Sequence, residues 1–214
     1  MKKLIALFLI IIAITNIFSE EMKFESIQNA YKKSYDYETM QKYEKAIKSL
    51  GDVYKNYPDS YTVNYRLGWL YYLNKNYKNA LTHLNKALAI FPSSVEVLNT
   101  IDLVYAAQQD WTKLEQNAIK IINIDYYNTY ANYWYSFALK KQGKFDLALK
   151  VDYKMLAILP SSISFLTEVA ENLYLSGNIK LAEEQFKNVL ILDTLNETAK
   201  YYLKLIEDKG KEKK

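Results

Sequence analysis

Residues 61–94, YTVNYRLGWLYYLNKNYKNALTHLNKALAIFPSS, decide the fold. Apolar residues recur there at helical spacing in two runs, so the segment reads as two amphipathic helices joined by a tight turn. Leu67, Gly68 and Tyr71 share a face of the first helix, and Tyr77, Ala80, Leu84 and Ala87 form the seam of the second. Small residues at Gly68, Ala80 and Ala87 let the helices approach closely, while the large residues beside them fill the space between. Pro92 ends the second helix because its ring clashes and it lacks an N–H. Ser94 then offers a side-chain oxygen to cap the helix that follows.

The pattern repeats along the chain. The place of Ala80 is held elsewhere by Ala46, Leu114, Ala148 and Ala182, and that of Tyr77 by Tyr43, Trp111, Phe145 and Ile179. Pro58 and Pro160 stand in for Pro92, whereas Tyr126 and Thr194 depart from it; Ser60, Asn128, Ser162 and Asn196 take the capping place of Ser94. These residues, at this spacing, resemble the tetratricopeptide repeat. The resemblance implies an all-α fold, a right-handed α-solenoid of about five 34-residue helix-turn-helix repeats. The frames are residues 27–60, 61–94, 95–128, 129–162 and 163–196. Residues 197–209, with Ala199, Tyr202, Leu203 and Ile206 at helical spacing, form a closing helix over the last repeat. Residues 210–214 are a basic tail.

Two frames deviate. In the first, Lys33 sits where a core leucine is usual and Ser34 where Gly68 stands, as suits a terminal cap with a polar outer face. In the third, Asp102 occupies the small-residue place, Leu114 the alanine place and Tyr126 the proline place. Asn123, Asp125 and Asn128 are therefore expected to set the helix end there.

The first residues, MKKLIALFLIIIAITNIFSEE, have a basic head at Lys2 and Lys3, an apolar run over residues 4–14, and a mixed stretch to Ser19. That is the layout of a secretory signal peptide over residues 1–19, with residues 20–26 as a short lead into the repeats. The alternative is an uncleaved anchor, which would be the chain's one tie to a membrane. Export to the periplasm or cell envelope is the expectation. The chain has no cysteine, so its core alone must hold it. With 28 basic and 24 acidic residues, it is too evenly charged for a strongly electrostatic nucleic-acid partner.

Little in the sequence carries chemistry. The single histidine, His83, is read as a surface residue facing away from the seam, and metal sites of Cys and His are excluded by the counts. No glycine-rich phosphate loop is present, and no cofactor is expected. Asp102 and Asp152 fall on places normally apolar or small. Either the helices loosen there and both reach solvent, the preferred reading, or each is a buried carboxyl with a raised pKa. An enzyme built on them ranks last.

The aromatic content is the unusual feature, 15% of the chain with 21 tyrosines. In tetratricopeptide arrays the first helix of each pair lines the concave face. The resemblance places Tyr31, Tyr35, Tyr65, Trp69, Tyr72, Tyr130, Tyr133, Phe137 and Tyr174 there. Such a face suits a partner protein or extended peptide, bound by aromatic burial rather than by charge. Sugar rings stack on the same kind of surface, so an envelope carbohydrate-binding module is the alternative. Tyr31, Tyr65 and Trp69 take places where chaperone-binding members carry Lys or Asn, which disfavours a receptor for chaperone tails.

Overall fold

The computed structural model describes residues 22–212, and the leader reading lies outside them. Among the described residues every regular element is a helix, and consecutive helices pack as antiparallel pairs, the expected all-α repeat solenoid class. The helices form two compact units, one ending at Phe91 and the other beginning at Pro92.

The first unit contains α1 (Phe24–Thr39), α2 (Tyr43–Ser49), α3 (Gly51–Asn56), α4 (Tyr61–Leu73) and α5 (Tyr77–Ile90). α1 starts before the expected frame, with the N–H groups of Ser26 and Ile27 both bonded to the Lys23 carbonyl. The second helix of this first repeat, which Tyr43 and Ala46 open and Pro58 ends, is broken: Leu50 N–H bonds back to Ile47, and Gly51, a weak helix former, restarts the winding. Its stripe survives, because Ala46, Leu50 and Val53 are all buried with Val63, Leu67 and Leu70 in one core.

The second unit contains α6 (Val95–Ala107), α7 (Trp111–Ile124), α8 (Thr129–Lys141), α9 (Phe145–Leu156), α10 (Ile163–Leu175), α11 (Ile179–Leu192) and α12 (Glu197–Glu212). Val169, Ala170, Leu173, Ala182, Phe186 and Val189 make one of its core clusters, closed by Ala199 of α12. Phe186 stacks on Tyr202 at 4.9 Å, so α12 covers the last pair as a terminal helix must.

Local signals explain the punctuation. Ser94, Asn128 and Asn196 accept from the N–H groups of Val97, Ala131 and Ala199, whereas Ser60 and Ser162 make no side-chain cap bond. After α7, Asp125 does the work of the missing proline by accepting from Tyr127 N–H and the Asn128 amide. The turn inside each pair has a left-handed residue at the same place: Gln41, Lys75, Gln109, Gly143 and Gly177. Only the last two are glycine, whose missing Cβ suits such a backbone.

Close helix approach is sharpest at Gly68. A Cβ there would lie 2.6 Å from Leu84 Cγ and 3.2 Å from its backbone nitrogen. In the other frames the same two places hold Ser34 with Leu50, Asp102 with Ala118, Ser136 with Asp152, and Ala170 with Phe186, so each pairs a smaller residue with a larger one. Gly68→Ala is thus expected to destabilise by about 1–3 kcal/mol, and Leu84→Ala by about 2–5 kcal/mol. The double variant should be more stable than additivity predicts, because alanine at both places removes the clash and part of the cavity. Urea unfolding of the four proteins checks this, and strictly additive losses would contradict the contact.

Candidate functional site

Asp102 and Asp152 do not reach solvent; both are wholly buried. Helix packing does not loosen around them because amides on facing helices partner them. Asn117 donates to Asp102 at 2.8 Å and Asn172 to Asp152 at 2.9 Å. Burial pushes each carboxyl up to about 7, against the lowering effect of those hydrogen bonds. His83 is likewise buried, stacked on Tyr71 at 5.3 Å with Tyr54 edge-on at 4.9 Å. Its Nδ1 lies 3.0 Å from Asn64 Oδ1. Since the Asn64 amide already donates to the Pro58 and Ser60 carbonyls, its oxygen is the acceptor and His83 Nδ1 carries the proton. Burial, with Lys86 adding to it, lowers the imidazole to about 4.

In the first unit the expected surface aromatics are held by an ion pair that the sequence reading missed. Glu38 pairs with Arg66 at 2.5 Å and accepts from Trp69 Nε1 at 2.6 Å. The Arg66 guanidinium lies 3.8 Å over the Tyr35 ring and donates to Ser34. Trp69 continues to Tyr72 at 5.6 Å, and Tyr65 stacks on Tyr61 at 6.0 Å. Tyr31 packs against the core below. Lys33 is exposed and lines a shallow hollow of about 340 Å³ with Tyr37, Lys45 and Lys48, so no core place is taken by its charge.

In the second unit Tyr130, Tyr133 and Phe137 join Trp134, a residue the groove places did not include, in one cluster of rings 5.5–6.2 Å apart. Tyr174 sits under the closing helix instead: Tyr202 meets it edge-on at 4.9 Å and Lys209 donates to its hydroxyl at 2.7 Å.

Beside Tyr133 and Phe137, α8, α10 and α12 enclose a cavity of about 410 Å³. Its floor is a buried group of charges. Lys140 Nζ donates to Glu168 Oε1 at 2.9 Å and also binds Glu171. Burial alone would lower Lys140, but Glu168 and Glu171 outweigh it and hold the ammonium above its usual range. Burial raises Glu168 against the lowering pull of Lys140, and the neighbouring Glu171 carboxylate adds to the rise. This node mirrors that of the first unit. Glu38 and Lys140 occupy the same place of their repeats, and each binds a partner thirty-one residues along, Trp69 and Glu171 respectively. Aligning the frames by charge rather than by apolar pattern would have found both nodes. Among the described residues no three Asp, Glu or His side chains converge as a metal site requires, and no helix is long and apolar enough to cross a membrane.

Comparison with known proteins agrees with this architecture. Residues 31–95 match the tetratricopeptide repeat family. The crystal structure of a MamA protein is similar at 18% identity and TM-score 0.70, over 84% of this chain and 97% of that one. MamA from Desulfovibrio magneticus RS-1, from residue 41 to its end, is similar at 14% identity and TM-score 0.72, over 80% and 97%. A MamA structure designated MSR-1 is 20% identical with TM-score 0.67, over 80% and 98%. No curated protein matches the chain in sequence. At such identities the likeness is one of fold. Residues 31–95 thus carry a tetratricopeptide-repeat match, and the chain as a whole shares the all-helical repeat fold of these structures.

Proposed function

We propose that the chain is an exported, non-enzymatic interaction scaffold that binds a partner protein or extended peptide on the aromatic faces of its first helices. The tetratricopeptide fold supports a protein-interaction scaffold in general. The observation that carries the finer reading is the fixed aromatic row on α4. Tyr65, Trp69 and Tyr72 are half-buried, and Glu38 holds the indole from below. Rings locked before binding lose little side-chain entropy when a partner covers them. The residues from Lys2 to Ser19 support export, and the buried aspartates have no access to a substrate.

The test is capture from envelope extract by the chain from Glu20 onward, followed by titration of the purified captured protein. Tyr65→Ala with Tyr72→Ala is the informative variant, since it leaves the Trp69–Glu38 bond in place. It should keep its helical circular dichroism and lose tenfold or more in affinity, the loss of two anchors worth roughly 1 kcal/mol each or more. Unchanged affinity in the folded variant would refute the aromatic face, and capture of glycan without protein would favour carbohydrate binding.

A further inference from the structure

The cavity of the second unit combines aromatic walls with an anionic floor. Tyr133 and Phe137 of α8 and Tyr202 of α12 line its sides, and Lys140, Glu168 and Glu171 line its base. The mirrored node of the first unit is balanced, one Glu38 against one Arg66. Here a single buried ammonium faces two carboxylates, with the buried Asp152 close enough to feel both Glu168 and Lys140. Glu168 is 4% exposed, with both oxygens within 2.9 Å of Lys140 Nζ, whereas the Glu171 side chain keeps 18% exposure. The other lysine of the lining, Lys141, is exposed at the rim and lies 5.0 Å from the Phe137 ring.

An anion entering this cavity meets two carboxylates whose only buried cation already donates to both. An apolar group would cover the partly exposed Glu171 without adding a counter-charge. A cation supplies that charge and a donor to Glu171, and the Tyr133 and Tyr202 rings of the walls attract it as well. We infer that this cavity is the receptor for a basic side chain, arginine in preference to lysine, presented by an extended peptide. Guanidinium suits it because its planar fork meets a carboxylate with two parallel hydrogen bonds while its faces stack on rings. The inference rests on reading the chain as a peptide- or protein-binding scaffold and assigns the chemistry of one anchor.

The experiment is a nitrogen-15 NMR titration of the full mature chain with acetylated, amidated Gly-Gly-Arg-Gly-Gly at millimolar concentration. Its counterparts carry citrulline, of the same shape without the charge, or glutamate. The arginine peptide should give saturable shifts in residues 167–171 and 198–202. The citrulline peptide should bind about tenfold more weakly or worse, the loss of a charge-assisted bond. The glutamate peptide should leave these residues unmoved, and Glu171→Gln should weaken the arginine peptide about fivefold. Equal binding of arginine and citrulline, stronger binding of glutamate, or no shifts at these residues would overturn the assignment. If shifts are absent while a partner is still captured through Tyr65 and Tyr72, the anchor alone falls. If arginine binds but no partner is captured, the aromatic face falls and the anchor stands.

Discussion

Lys140→Met is expected to destabilise the second unit by about 3–5 kcal/mol, because it leaves the carboxylates of Glu168 and Glu171 without their buried cation. Lys140 is 6% exposed, so water cannot replace it. For a chain of this size the loss lowers a thermal midpoint by roughly 10 °C. The effect belongs to charge, not to volume, since methionine fills nearly the same space. Adding Glu168→Gln should therefore restore most of the stability, by removing the carboxylate that is most deeply buried. Arg66→Met in the first unit should cost less, as Glu38 retains 23% side-chain exposure and the Trp69 hydrogen bond. If Lys140→Met and Arg66→Met cost the same, or Glu168→Gln gives no rescue, the electrostatic account of the node fails.

Acid is expected to move the two units in opposite directions. His83 has a folded pKa lowered to about 4 from 6.5, so the fold disfavours imidazolium. Its contribution is intact above pH 6.5 and is lost as pH falls toward 4, up to roughly 3 kcal/mol at 1.36 kcal/mol per unit. Asp102 has a folded pKa raised to about 7, so the fold favours the protonated acid. Its contribution is complete below the unfolded value of 3.8 and is lost as pH rises through 7, again roughly 3–4 kcal/mol. Asp152 acts in the same sense as Asp102. Hydrogen exchange, corrected for intrinsic rates, should show α5 loosening and α6 and α7 tightening between pH 7 and pH 5. His83→Gln should flatten the first trend and Asp102→Asn the second, with Asp102→Asn more stable than the parent at pH 8. Parallel behaviour of the two units would contradict these burial assignments.

The repeat fold was legible because small and large apolar residues recur at one period, and periodicity is what burial imposes on a repeat. Ala46, Ala80, Leu114, Ala148 and Ala182 are all fully buried. What stayed hidden lies between frames. The readings of His83, Asp102 and Asp152 treated each polar residue alone, but burial depends on its partner: Asn64, Asn117 and Asn172 come from facing helices. The left-handed turn residues were equally obscure where Gln41, Lys75 and Gln109 take a backbone that glycine would have advertised. Of the candidate surface, the places on α4 and α8 were readable from the repeat. The cover over Tyr174 depends on Tyr202 and Lys209 of the closing helix, which no repeat position specifies.

The claim that partners bind on first-helix faces is tested most directly by photo-crosslinking in the cells that make the protein. A benzoylphenylalanine placed at Tyr65 or Tyr133 should form an adduct with a partner protein. The same group at Lys187, an exposed position on α11, should form none. Adducts confined to position 187, or equal at all three positions, would contradict the account.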